Sequence, residues 1–398
     1  IAAIWTLLIL MKPMIEGMVH SFRMLKGGQE ASEHRIDIDL SPKTMIYILI
    51  ATVALIVISL HHFIAAAPIS PELSILLVVV CTFLAVFIGF FVAAASGYMA
   101  GLVGSSSSPI SGSGIISVIV ISVVLVSIGN ASGLFETVDG QKFLTALTLF
   151  TASIVITTAC ISNDNLQDLK TGLLVEATPW RQQVALIIGC FVGALVIAPV
   201  LEILYHAYGF SGALPRPDMD PSQALSAPQA TLMPAISQGI FTNKLEWTYI
   251  LTGVGLGAVL ITIDAFLKKV SNKVFSLPVI AVGIGIYLPP SINTPVIVGA
   301  FLAWIMARHI AKLGNKEVSA KAERFGTLFS AGLIVGESLM GVILAFIIAA
   351  SVTTGGSEAP LSLNLENWDT IGEWLGLIVF IVGIVIFASR VLRAKKSD

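Results

Sequence analysis

The sequence predicts an all-α polytopic membrane protein, a multi-span helical bundle with discontinuous or re-entrant helices and an internal repeat. Three observations carry this expectation. Hydrophobic residues make up 56% of the 398 residues and charged residues 12%, against about 25% charged in soluble domains. Apolar runs of the ~20 residues a helix needs to cross the hydrocarbon core recur along the chain. Two Gly/Ser/Pro-rich stretches, 104–114 and 289–295, interrupt apolar segments. Irregular backbone at membrane depth survives only where protein or water surrounds it. The lipid bilayer is thus the first partner. A formal net charge of −2 and the lack of a basic tract with interleaved aromatics give no reason to expect a nucleic-acid partner.

In chain order, residues 1–22 read as the end of a span, with Lys12, Glu16 and His20 in its second half, and 23–43 as a charged loop. The opening Ile-Ala-Ala-Ile-Trp reads as already inside a span, so spans before residue 1 are expected in a longer protein. Residues 45–60 cross, ending at His61-His62, and 68–71 turn. Residues 73–103 form a long span whose second half is small, Ala93-Ala94-Ala95-Ser96-Gly97 and then Gly101. Gly97-x-x-x-Gly101 lets another helix come close. The break over 104–114 cannot hold a regular helix by composition. Residues 115–128 rise only about 21 Å as helix, short of a ~30 Å core, and read as half of a discontinuous helix.

Residues 143–161 cross, 162–183 are a polar loop, and 184–205 cross again. In the long segment 206–244, Gly209, Gly212, Pro215, Pro217 and Pro221 exclude helix from the first part. Its Ala/Ser/Gln-rich part, 221–240, reads as re-entrant, with Met233 and Gln238 along a route. Residues 247–267 cross. Residues 277–307 hold two short apolar arms, 277–288 and 296–307, around a Pro-rich tip, and read as a hairpin entering and returning. Residues 325–350, with Gly332-x-x-x-Gly336, and 371–389 complete the count.

Lys/Arg in short loops set orientation. The tail with Arg390, Arg393, Lys395 and Lys396 is expected in the cytoplasm, together with 308–324, Lys268, Lys269 and Lys273, and the loops 162–183 and 23–43. Residues 351–370 and 206–244 fall outside.

Glu337 is the sharpest single residue. It lies mid-span between Gly336 and Ser338, where a charge costs at least ~2.5–3.5 kcal/mol and should face a cavity or partner. Loss of water favours the protonated carboxyl, so such a group can exchange a proton during transport. Asp264 and Glu202 read as interfacial. Cys81, Cys160 and Cys190 lie in apolar runs without a CxxC pair, which supports neither zinc nor a disulfide framework. His61, His62, His206 and His309 lack the i,i+4 pairing of a metal site. No phosphate loop, G-x-S-x-G or H-E-x-x-H motif occurs, so no cofactor and no catalytic residue is expected. Ser107-Ser108-Pro109-Ile-Ser-Gly112 parallels Asn293-Thr294-Pro295-Val-Ile-Val-Gly299, the basis for the internal repeat.

The run Ser162-Asn163-Asp164-x-x-Gln167-Asp168-x-Lys170-Thr171-Gly172-x-x-Val175-x-Ala177-Thr178-Pro179-x-x-Gln182 reads by itself as a solvated loop with an N-cap. It also resembles the signature of the oligopeptide transporter (OPT) family, which includes the yellow-stripe-like metal-chelate carriers. Gly104-Ser105-Ser106-x-x-Pro109-x-Ser111-Gly112 is similar to that family's Gly-Ser-Ser-x-Asn-Pro-x-Ser-Gly stretch, with Ser108 where the family has Asn. Gly285-Ile286-Tyr287-Leu288-Pro289 and Gly332-Leu333-Ile334-x-Gly336-Glu337 resemble two later motifs, in family order.

The resemblance implies one transporter domain over 1–398, with 104–114 and 277–307 as its broken elements, in a family whose members are longer. It implies proton-coupled symport of small oligopeptides, glutathione-like compounds or metal chelates by alternating access across the plasma membrane, here a bacterial inner membrane. Ser107, Ser108, Ser111, Asn163, Asp164, Gln167, Tyr287 and Asn293 are the candidate substrate contacts. Glu337 and Asp168 are the candidates for proton coupling, and no metal site of the protein's own is expected. Homo-oligomerisation stays open. The competing classes are a channel with a static filter and the membrane subunit of a larger complex.

Overall fold

The computed structural model describes Ile15 and residues 34–103, 110–210, 212–217, 219, 221, 224–225, 227–242, 247–272, 275–287, 290–311, 316–357, 359–362 and 368–393. The span expected over 1–22 lies outside the described residues, Ile15 apart. Among the described residues, eight helices are long and apolar enough to cross a membrane, as an all-α polytopic chain requires. They fall into two compact units, Ile1–Gly193 with Ala227–Ile284, and Ala194–Ser226 with Gly285–Asp398.

The first unit begins with α1, Pro42–Ala65, whose start is set by Ser41. Its hydroxyl accepts from the Thr44 N–H at 3.2 Å, and Pro42 occupies a first-turn position where no N–H is needed. Next come α2 (Pro71–Val103), α3 (Ile110–Ser132) and α4 (Val138–Leu174). Then α5 runs over Pro179–Tyr208, α6 over Pro228–Phe241, α7 over Trp247–Val270 and α8 over Val279–Tyr287.

Lipid tails are as apolar as leucine, so these helices associate by close packing and buried polar bonds. The α2–α4 pair shows both. Space beside Gly89 is filled by Thr158, beside Gly97 by Ser162 and Leu166, and beside Gly101 by Leu166. The numbers rise together, so the two helices run parallel. The Ser162 hydroxyl donates to the Ala93 carbonyl at 2.7 Å. Helix α3 runs antiparallel to α4, with Gly114 against Ile156 and Gly129 against Leu144. Leu60 and Ile64 of α1, Leu77 and Cys81 of α2, Val118, Ile121 and Leu125 of α3, and Leu144 and Leu147 of α4 form one fully buried core. Phe63 stacks on Phe150 at its edge, with centroids 4.6 Å apart.

Three sequence expectations change. Residues 110–114 of the break expected over 104–114 are helical, and 104–109 lie outside the described residues. The serines of α3 turn onto the helix's own carbonyls, Ser113 Oγ to Ile110 O and Ser117 Oγ to Ser113 O, both at 2.7 Å. The helix therefore has 23 residues, about 34 Å, in place of the fourteen-residue half-helix expected over 115–128. The polar loop expected from 162 is also helix, as α4 continues to Leu174. Thr158, Ser162 and Leu166 keep the helical spacing that lays one face on α2. The chain turns only after Leu174, with Glu176 at φ 56°. The Pro-rich tip is mostly helical as well: α9 spans Pro290–Ala311 and begins on a proline, whose missing N–H has no partner to lose there. The arms are therefore unequal, 9 and 22 residues.

The second unit contains the end of α5, α9, α10 (Lys316–Thr353) and α11 (Trp368–Arg393). Met306 and Ile310 of α9, Ala322 of α10 and Val391 of α11 form its small core. Phe329 and Phe387 meet at 5.7 Å between centroids. Only one of the two proline motifs of the proposed repeat lies fully within the described residues. Pro295 lies inside α9, and Pro109 lies outside the described residues.

Gly97→Leu is expected to force α2 from α4 and lower stability by about 1–3 kcal/mol, the usual cost of overpacking. Nothing lies within 4 Å of a Cβ at Gly253, so Gly253→Ala is expected to be neutral or to stabilise by up to ~1 kcal/mol through helix propensity. Thermal unfolding of the two variants in the same detergent checks the contrast.

Candidate functional site

The contact of Gly114 with Ile156 fixes the level of α3 against α4. Because the helices are antiparallel, Ile110, the first residue of α3, lies about 6 Å beyond that level. Asn163 lies seven residues beyond Ile156 on α4, and seven residues turn a helix about 700°, within ~20° of two full turns. Asn163 therefore stands on the same face as Ile156, about 10 Å further along, just past the first turn of α3. It is 5% exposed, and no described group hydrogen-bonds to its Oδ1. Leaving a buried acceptor unmatched costs roughly 1–3 kcal/mol.

Helix α6 closes another side of this place. It has 14 residues, about 21 Å, too short to cross. It lies along α3 in the same direction. Gln229 Nε2 donates to Ser111 Oγ at 2.6 Å, Met233 abuts Gly114, and Ser237 meets Ser122 at 3.2 Å between hydroxyls. Both Ser122 and Ser237 are fully buried. Met233 is thus occupied in packing, while Gln238 is exposed. Sequence reading missed Gln229, Ser122 and Ser237. The only signal was the Ser/Gln content of a weakly apolar segment.

The remaining candidates separate. Asp164, Gln167 and Asp168 are exposed on α4. The Asp168 carbonyl accepts from Gln182 Nε2 at 3.0 Å, and Gln182 lies so close over Gly172 that a Cβ there would fall on its amide. Part of the signature run therefore closes the α4–α5 turn. The next residue, Gln183, accepts from the Leu40 N–H and donates to Asp39 Oδ1, both at 3.1 Å, which ties the approach to α1 onto the start of α5. In the second unit, Asn293 Nδ2 donates to the Gly285 carbonyl at 2.9 Å and so satisfies the last turn of α8. Tyr287 ends α8, and its side chain lies outside the described residues, as do Ser107 and Ser108. Glu337 sits inside α10, where every residue from 331 to 340 is exposed. The partner expected for it is not among the described residues of its unit. Among the described residues, no three His, Cys, Asp or Glu side chains group to hold a metal ion.

The family model described as OPT oligopeptide transporter protein matches residues 1–348. A Haemophilus influenzae protein described as an oligopeptide transporter is 99% identical over 396 residues, covering 100% of this chain and 63% of that protein. The chain thus spans 63% of the length of this relative. Two Arabidopsis thaliana proteins named as metal-nicotianamine transporters are more distant. YSL5 is 25% identical over 209 residues, with 51% of this chain and 27% of the relative covered. YSL8 is 27% identical over 199 residues, covering 48% and 25%. No solved structure matches the chain significantly. With most of its length under the family model, the chain belongs to the OPT oligopeptide transporter family.

Proposed function

We propose that the chain works as a secondary active transporter, moving small oligopeptides, glutathione-like compounds or metal chelates together with protons by alternating access. The observation that carries this reading is the meeting of three elements in the first unit. Ser111, at the described start of α3, bonds Gln229 of the short helix α6, and on the adjoining helix α4 the buried Asn163 Oδ1 has no described donor. Helix termini with free N–H groups inside a membrane bundle are a common way to hold polar solutes. The names of the relatives agree in class. One is described as an oligopeptide transporter and two as carriers of a metal chelate.

Within this reading, Ser111 and Asn163 contact substrate, and Asp164 and Gln167 line the approach from the exposed face of α4. Asn293 holds the α8–α9 pair in shape, with Tyr287 at the break. Glu337 and Asp168 are the carboxylates assigned to the proton. The Lys/Arg distribution supports a cytoplasmic C-terminal tail at a bacterial inner membrane.

In proteoliposomes, an inward proton gradient is expected to drive accumulation of labelled short peptides or glutathione, and Glu337→Gln to abolish the accumulation while leaving binding intact. Accumulation unchanged by that substitution would move the coupling role to Asp168, tested as Asp168→Asn. Fast passive flux with no gradient response would sink the carrier reading in favour of a channel. Gln229→Leu frees Ser111 from α6. The loss of one such hydrogen bond, about 1 kcal/mol, is expected to raise the KM for uptake about five-fold without lowering the unfolding temperature by more than a few degrees.

A further inference from the structure

We propose that the end of the second unit where α9 and α11 finish and α10 begins holds the phosphodiester headgroup of an anionic phospholipid. Arg308 is its direct contact, and Arg324 and Arg390 draw the same class of lipid to that surface. Lipid binding there is independent of the transport reading.

The helices fix the place. Met306 and Ile310 of α9, Ala322 of α10 and Val391 of α11 are buried together. Ala322 lies in the second turn of α10 and Val391 in the last turn of α11. Both helices are long and apolar enough to cross a membrane, so this small core marks one membrane surface. Arg308 falls midway between Met306 and Ile310, about 200° round the helix from each, and Arg324 stands in the same relation to Ala322. Arg390 directly precedes Val391. All three arginines are exposed, and each lies within about 3 Å of rise from the buried residue of its own helix. They therefore stand at one level on the outside of one helix cluster. Among the described residues the acidic groups near this level are Glu317 and Glu323, against the three arginines and Lys321.

Arg308 is arranged to take a phosphate. Its guanidinium lies 4.1 Å over the Trp304 ring, and Phe301 stacks on Trp304 with centroids 5.8 Å apart. The spacing i, i+3, i+7 puts the three on one stripe of α9, and Phe301 and Trp304 are 63% and 50% exposed. The indole covers one face of the guanidinium and leaves its in-plane N–H groups open. Among the described residues no carboxylate pairs with Arg308, Arg324 or Arg390. That planar fork matches two oxygens of a phosphodiester. Tryptophan favours the headgroup level of a bilayer, so the rings beneath Arg308 meet the upper acyl chain of the same molecule. The stripe thus asks for a ligand that is anionic at one end and apolar below it. A soluble acidic peptide or a nucleic acid would satisfy the arginine and leave both rings against nothing.

The test uses the whole chain in detergent micelles and two probes with the same fluorescent acyl chain, phosphatidylglycerol and phosphatidylcholine, with binding read by anisotropy. Phosphatidylglycerol is expected to bind about five-fold tighter, as cationic side chains at a membrane surface attract anionic lipid. Arg308→Gln should remove most of that preference, and Arg308→Gln/Arg324→Gln/Arg390→Gln should bring the two lipids to equal binding. Lys142→Gln, which removes one exposed cation from the first unit, should leave the preference in place. Unfolding temperatures in phosphatidylcholine alone serve as the folding control, and should the triple variant fail to fold, Arg308→Gln decides. Equal binding of the two lipids to the unsubstituted chain, or a preference that survives loss of the arginines, would overturn the inference. So would displacement of phosphatidylglycerol by inorganic phosphate at constant ionic strength, which would make this a site for a soluble anion. None of these outcomes bears on uptake under a proton gradient, so the transport reading stands or falls separately.

Discussion

The close approach of α2 and α4 at Gly97 governs the first unit. A side chain at that position would meet Ser162 and Leu166 at once, so only glycine lets the two backbones come near enough for the Ser162 hydroxyl to reach the Ala93 carbonyl. In hydrocarbon there is no solvent to drive two apolar helices together, and small residues with a few buried polar bonds must do it. With α2 and α4 locked in parallel, α3 returns antiparallel along α4, and its register follows from Gly114 and Gly129. The place occupied by Asn163 is a consequence of that register. Its neighbours are set by contacts one and two turns away.

The spans were legible because their cause is composition alone. Runs such as 45–60 and 247–267 are apolar on every side, and the helices found there, Pro42–Ala65 and Trp247–Val270, differ only at their ends. The ends were less legible because polar residues can be helical when one face still packs. The run Ser162 to Gly172 carries Asp164, Gln167, Asp168 and Lys170, and its composition is that of a loop. The helix persists because Ser162 and Leu166 continue the stripe begun by Thr158, a pattern of three residues hidden among eight polar ones. Ser111 to Gly114 misled in the same way, since serine hydroxyls bonded to the helix's own carbonyls make Ser113 and Ser117 tolerable inside a helix.

The site divides along the same line. Asn163 and Ser111 could be singled out from motif and chemistry, since each is a polar group beside apolar sequence. What the sequence could not say is that Gln229, more than a hundred residues on, would engage Ser111, or that Ser122 and Ser237 would pair in a dry interface. Such pairs depend on where α6 docks, and α6 has too little apolar character for its docking face to be read in advance. Asn293 shows a second use of a polar side chain. A polar side chain beside prolines suggested a ligand contact, and its amide nitrogen bonds the Gly285 carbonyl near the end of α8.

The signature run thus holds two kinds of residue that motif matching treats alike. Gly172 and Gln182 are bound to each other by shape, and Gln182 also holds the Asp168 carbonyl. Their service is to stop α4 and start α5, and any side chain at Gly172 would displace the glutamine amide. No described group hydrogen-bonds to the oxygen of Asn163. A buried acceptor left unmatched is a standing cost of roughly 1–3 kcal/mol, and an apolar residue of similar size would remove it without disturbing the packing of Ser162 or Leu166. In the transport reading proposed above, the donor that this oxygen lacks is supplied by the substrate.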